Sequence, residues 1–301
     1  MTGPLAETPA RRRGGVRRRR AVALVTLVVL MVFGVVAAAA GGGGSSRPAA
    51  RLPRPPVTIA RRRTGRSLGP SLAARENAAI TRLERRQPFI RIGGSQRREI
   101  ALTFDDGPGP YTPRILDALA RVHAPATFFE IGFMIHYFND SLRRELRMGM
   151  AIGDHTETHP MMAALSPAGQ RAEIVDQTEH LRRYGGPFPR LYRPPYGSYD
   201  QTTLALLRKL RMLMVLWTVD TSDFLQPGVG AIVHRTMAGA RPGAIILMHD
   251  AGGTRTQEIA AVPIIVNALR ARGYTLVTVP RLILDDPPPH AESLPRRLSG
   301  D

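Results

Sequence analysis

From residue 99 onward the chain alternates short, fully apolar runs with longer segments in which apolar residues recur every three or four positions. The short runs predict strands at 100–104, 126–132, 150–153, 191–193, 212–217, 244–248 and 275–279. The longer segments predict helices near 113–121, 141–149, 167–184, 201–210, 229–238 and 256–272. Strands that are apolar throughout belong to a parallel sheet covered by helices. Seven of them in regular alternation with helices predict an α/β domain over 97–283, a closed or nearly closed barrel rather than a flat sheet.

The polar residues of this domain keep one phase. Asp105 and Asp106 follow the first strand, and Asp154, His155 and His159 follow the third. Arg193 and Tyr196 follow the fourth, Asp220 and Asp223 the fifth, and His249 and Asp250 the sixth. All are at C-terminal strand ends, the face of a barrel on which sites are built. Capping aspartates and core histidines have no reason to prefer one end of every strand.

Charge separates this domain from what precedes it. The formal net charge is +18, and residues 1–98 alone hold 21 Arg against 3 Glu, so residues 99–301 are neutral. A nucleic-acid-binding role for the folded part is therefore excluded, because it has no excess charge with which to displace counterions. The leader reads as a basic segment (1–20), twenty uncharged residues (21–40), and an Arg/Pro/Gly-rich spacer (41–96) that is disordered apart from a short helix at 71–86. About 20 apolar residues span a bilayer, so 21–40 predicts a transmembrane signal-anchor. Cleavage after Ala40 is the alternative, since small residues precede Gly41. The arginines on its N-terminal side place the domain outside the cell membrane, and it is secreted if the leader is cleaved. A disordered tail is expected over 284–301. The absence of cysteine agrees with either side of a membrane.

Adjacent carboxylates at the end of an apolar strand are unfavourable unless a cation lies between them or one takes a proton. Neighbouring strand residues face opposite sides, so Gly107 and Pro108 must turn the chain for Asp105 and Asp106 to share a site. A turn capping the next helix is the alternative. His155 and His159, four apart, are a candidate metal pair, and Pro160 places them in a turn rather than a helix. Two imidazoles and a carboxylate leave open positions, as catalytic zinc and iron sites do.

Thr-Phe-Asp-Asp-Gly-Pro at 103–108, His-Thr-Glu-Thr-His-Pro at 155–160, Arg-Pro-Pro-Tyr-Gly at 193–197, Val-Asp-Thr-Ser-Asp-Phe at 219–224 and Leu-Met-His-Asp at 247–250 resemble, in order and spacing, the five motifs of the polysaccharide deacetylase family. This is carbohydrate esterase family 4, the NodB homology domain. The resemblance implies a deformed (β/α)7-8 barrel that hydrolyses the N-acetyl groups of N-acetylglucosamine polymers with a divalent metal, Zn2+ in the usual case and Co2+, Ni2+, Mn2+ or Fe2+ otherwise. It implies Asp106, His155 and His159 as metal ligands and Asp105 as the base that activates water. Arg193 resembles the partner of that base, and the Tyr196 backbone N–H resembles part of the oxyanion hole. His249 resembles the acid that protonates the leaving amine, tuned by Asp223 in preference to Asp220. Pro195, Tyr196 and Phe224 are the expected substrate contacts.

Two positions depart from the family pattern. Phe224 stands where tryptophan is common, which makes one wall of the groove smaller. Asp154 stands where asparagine is frequent, and serves either as a contact behind the His155 imidazole or as a turn former. Trp217, the only tryptophan, reads as core. A metal phosphoesterase would need more cations than Arg193 to hold phosphate, and a non-catalytic sugar-binding relative would lack a ligand or the acid. The expected partner is an N-acetylated glycan: peptidoglycan, favoured by an extracellular location, or else chitin oligomers or O-acetylated xylan. A monomer is expected.

Overall fold

Helix α1 (Leu72–Glu84) opens the described part of the chain, residues 70–289 of a computed structural model. The Ser71 hydroxyl caps it by accepting from the Ala74 N–H at 3.3 Å. Strand β1 (Phe89–Ile90) comes next. The other strands are β2 (Glu99–Asp105), β3 (Thr127–Glu130), β4 (Ala151–Asp154), β5 (Leu191–Tyr192), β6 (Leu213–Val215), β7 (Val219–Asp220), β8 (Ile245–His249) and β9 (Thr275–Leu276). The other helices are α2 (Thr112–Arg121), α3 (Gly132–Tyr137), α4 (Asn139–Arg147), α5 (Pro167–Arg183), α6 (Gln201–Leu210), α7 (Val229–Gly239), α8 (Thr256–Ala271) and α9 (Val279–Asp285).

All strand pairs are parallel, in the order β1-β6-β5-β4-β3-β2-β8-β7, with β9 added to β2. Only residues 216–218 separate β6, near one end of that order, from β7 at the other, so the sheet curls into a ring. Thr218 stitches the seam: its hydroxyl donates to the Arg91 carbonyl at 2.8 Å and accepts from the Ile245 N–H at 2.9 Å. The parallel α/β barrel is thus present in deformed form.

β2 shows how the sequence positions the site. Ile100, Leu102 and Phe104 belong to the cluster formed with Ile115, Leu116 and Leu119 of α2 and with Val262, Ile265 and Leu269 of α8. Side chains alternate along a strand, so Ala101, Thr103 and Asp105 face the interior of the ring. The seven-residue run thereby delivers Asp105 to the inner face at its C-terminal end.

Four expectations need correction. The spacer does not extend to residue 96: Ala79, Ile80 and Leu83 of α1 are buried with Leu282 and Ile283 of α9, and β1 pairs with β6. Strand 126–132 stops at Glu130 because Gly132 begins α3, and β7 is an additional strand. Strand 275–279 stops at Leu276, since Thr278 caps a helix whose first turn contains Pro280. The tail begins later than 284, because α9 runs to Asp285, and Asp286 is buried and accepts from the Arg97 N–H at 2.7 Å. Among the described residues no helix is long and apolar enough to cross a membrane. The expected anchor at 21–40, the spacer over 41–69 and the tail from 290 lie outside them.

Candidate active site

Asp105 ends β2 in extended backbone, and Asp106 follows with φ +76°. That left-handed step swings the second carboxylate toward the face the first already occupies, so the pair shares one site. Asp105 Oδ1 accepts from Arg193 Nη1 at 2.7 Å, while its Oδ2 lies 3.8 Å from His155 Nε2. Asp106 Oδ1 faces His159 Nε2 at 3.1 Å and His155 Nε2 at 3.6 Å. Burial works against ionisation of Asp106, but the charge of His159 foremost, with that of His249, holds its carboxyl well below the usual range.

His155 Nδ1 lies 2.7 Å from the Arg193 carbonyl. A carbonyl only accepts, so Nδ1 carries the proton and Nε2 is left as a lone-pair donor toward Asp106. His159 Nδ1 lies 3.2 Å from the Tyr196 hydroxyl, and the two rings pack edge to face. Ligand atoms of Asp106, His155 and His159 lie within 4.8 Å of one another. Asp106 Oδ1 is buried and takes no ordinary hydrogen bond. Two imidazoles and an orphaned carboxylate oxygen fit a divalent cation of the zinc type. Gly252 approaches so closely that a Cβ there would stand 2.6 Å from Asp106 Oδ2, and its φ is +73°.

Arg193 is fully buried. It donates to Asp105, to Thr103 Oγ1 at 2.8 Å, and to the Val215 and Leu216 carbonyls at 3.0 and 3.3 Å. Its guanidinium lies 4.1 Å from the Phe129 ring centroid and 5.8 Å from that of Trp217. Trp217 is accordingly core, as expected, and stacks behind the arginine.

On the other side of the site, His249 at the end of β8 is held twice by Asp223. Its Nδ1 lies 2.8 Å from Asp223 Oδ1, and its backbone N–H donates to Oδ2 at 2.7 Å. Burial pulls the His249 pKa down, but Asp223, with help from Asp106 and Asp105, raises it to about 9. Burial likewise opposes ionisation of Asp223, yet His249 and Arg255 keep it below its ordinary value. Asp220 accepts instead from the Ser222 N–H at 2.7 Å in a turn of its own. Of the two motif-four aspartates, Asp223 is therefore the partner of His249.

Tyr196 has φ +57° in a tight turn and is 55% exposed, and Phe224 is 48% exposed with its ring 5.6 Å from that of His249. Both rim the site. Pro195 does not: it is buried within the turn, which corrects its expected contact with substrate. Asp154 proves to be a turn former, accepting from the Thr156 N–H at 2.8 Å, while His155 is oriented by the Arg193 carbonyl.

Sequence reasoning missed Thr103, although it shares the inner face of β2 with Asp105 two residues on, a spacing that carries the signal. It also gave no place to the buried carboxyls Glu130 and Glu145, and no role to Asp250. Burial pushes Glu145 up to about 8 and Asp250 up to about 7, and Glu130 well above its ordinary value; Asp250 adds repulsion to Glu145, Glu145 and Asp250 add it to Glu130, and Asp106 and Asp105 add it to Asp250.

A sequence model of the family described as Polysaccharide deacetylase matches residues 93–215. A chitooligosaccharide deacetylase of Bradyrhizobium sp. is 36% identical over 201 residues, 62% of this chain and 92% of that protein. The chain belongs to the polysaccharide deacetylase family. Its members are hydrolases acting on the N-acetyl amide bond. A peptidoglycan-N-acetylglucosamine deacetylase of Bacillus cereus is 36% identical over 187 residues, 61% of this chain and 87% of that protein. The crystal structure of the Bc1960 peptidoglycan N-acetylglucosamine deacetylase superposes with a TM-score of 0.64 at 32% identity, covering 68% of this chain and 96% of that one.

Proposed function

We propose that this deacetylase removes the acetyl group from N-acetylglucosamine residues of a peptidoglycan-like wall glycan, outside the membrane, with zinc as its metal. The observation that carries this reading is the donor set Asp106, His155 and His159, flanked by Asp105 on one side and His249 on the other. Those three side chains would hold the ion, which when bound supplies Lewis acidity to a water and to the acetamide carbonyl. Asp105 Oδ2 is the free oxygen of a carboxylate whose Oδ1 is held by Arg193, and it takes the proton of the attacking water. The Tyr196 N–H, turned by the left-handed residue, donates to the oxyanion as water adds to the carbonyl carbon. As the C–N bond breaks, His249 gives the proton on Nε2 to the leaving nitrogen, while Asp223 holds Nδ1. The products are acetate and a glucosamine residue, and both side chains then exchange protons with solvent.

Identity to the chitooligosaccharide and peptidoglycan enzymes is the same, 36%, so similarity does not choose the glycan. The choice of wall glycan rests on the arginine block and apolar segment of residues 11–40. The test is acetate release by the full chain from peptidoglycan, chitin oligomers and acetylated xylan in parallel, with and without chelator. Chelator-sensitive release, greatest from peptidoglycan, is expected. Release unaffected by chelator would refute the metal site, and preference for chitin oligomers or xylan would refute the wall assignment.

A further inference from the structure

The loops that carry the acid pair come from different strand ends, so the Asp223–His249 geometry depends on what ties them together. Residues 221–228 follow β7, with Ser222 and Gln226 both left-handed (φ +47° and +53°). Residues 250–255 follow β8. Gln226 Nε2 donates across the gap to the Thr254 carbonyl at 2.7 Å and to Glu258 Oε1 at 3.2 Å, and back to the Asp223 carbonyl at 3.2 Å. The same Glu258 oxygen accepts from Arg255 Nη1 at 3.1 Å, and Arg255 Nε donates to the Ala251 carbonyl at 2.6 Å. Gln257 Oε1, in the first turn of α8, accepts from the Gly228 N–H at 2.7 Å and ties the 221–228 loop to that helix.

Glu258 and Arg255 are 0% and 2% exposed. A buried ion pair adds little net stability compared with well-packed apolar residues, so its worth lies in the geometry it fixes. Here a single oxygen, Glu258 Oε1, collects a donor from each loop. We propose that Glu258 is a positioning residue which, through Arg255 and Gln226, latches the Asp223 loop to the loop beyond His249 and so sets the alignment of the acid pair. The role rests on His249 acting as the acid, and its physical readout does not require turnover. His249 also faces Asp105 and Asp106 at the end of β2 and Asp220 of β7, and Asp106 is itself packed against Gly252 of the 250–255 loop.

The test uses the full chain with Arg255→Met and Glu258→Leu together. The pair of changes leaves no buried charge unpaired, but it removes the Arg255 charge that acts on Asp223, so Gln226→Leu, which cuts the ties to Thr254 and Glu258 with no change of charge, is measured beside it. In chelator, the His249 imidazole, followed by NMR, should titrate at least one pH unit lower in both variants than in the wild type. Turnover on an N-acetylglucosamine oligomer should fall about tenfold in both, with KM within about twofold, part of the contribution a general acid makes. An unchanged His249 titration in Gln226→Leu, or a shift in the double variant alone, would overturn the latch. A wild type that titrates as expected but releases no acetate would fault the proposed function and leave the latch tested on its own terms.

Discussion

The His249–Asp223 pair makes a quantitative prediction about stability. Asp223→Asn keeps the shape of the side chain and removes its charge, and with it the main influence raising His249 from its ordinary 6.5 to about 9. That rise corresponds to about 3 kcal/mol of differential interaction. The folded-state value lies above the unfolded one, so this stabilisation is full below pH 6.5 and disappears as pH rises through about 9. Asp223 lies below its ordinary 3.8, so its share is present above that pH and is lost only as pH falls through its lowered value. For a domain of this size about 3 kcal/mol corresponds to roughly 6–12 °C in melting temperature. Melting curves of wild type and variant, taken from pH 6 to pH 10 in chelator, should be separated by that amount at pH 6 and converge toward pH 10. Chelator is needed because a bound ion would add its own stabilisation. A separation that stays constant across the range would show that His249 is not held charged by Asp223.

Asp106→Asn should abolish divalent-cation binding in equilibrium dialysis, whereas Asp105→Asn should bind the ion and lose turnover; identical behaviour of the two would show that the pair is wrongly divided. Glu145 is raised to about 8, so its neutral form stabilises the fold fully below its ordinary 4.5 and less as pH climbs through 8. Glu145→Gln should flatten the decline of the urea midpoint between pH 5 and 8, and an unchanged slope would count against a buried neutral acid. Ile80→Ala removes a side chain that is 1% exposed between α1 and α9 and should cost about 2–5 kcal/mol in urea unfolding. A change below about 0.5 kcal/mol would mean that α1 is not part of the domain core.

The site was legible because parallel strands are short and apolar, so the first polar residue after each run marks its C-terminal end. Asp105, Arg193 and His249 could be placed this way, and His155 as the residue directly after Asp154. The N-terminal boundary was not legible. α1 was expected as a short helix at 71–86, but its apolar stripe is only Ala79, Ile80 and Leu83 among arginines and alanines, and β1 is two residues long, so nothing marks either as part of the domain core. The barrel was expected from the alternation of strands and helices, but the contacts that close its seam were not: they depend on the hydroxyl of Thr218 and a three-residue crossing, and no pattern of hydrophobicity encodes either. The Gln226–Glu258–Arg255 latch joins residues spread over two loops through backbone carbonyls, which have no sequence signature at all.

Backbone conformation, finally, accounts for how a strand-end arrangement becomes a converging site. Eight non-glycine residues among those described have positive φ, and six of them, Asp106, Thr156, His159, Tyr196, Ser222 and Gln226, are in the loops that build the site. Left-handed backbone at a non-glycine residue carries strain of order 1–3 kcal/mol, and persists only where surrounding contacts over-determine it. Each of these residues has such a contact or flanks one: Asp106 meets both imidazoles, the Thr156 N–H is held by Asp154, Tyr196 packs on His159, and Gln226 is tied to Thr254. The two acids at the end of β2 are therefore inequivalent for a backbone reason. Asp105 remains on the inner face of the strand, within reach of Arg193, whereas Asp106 reaches the histidines only because its own φ is inverted.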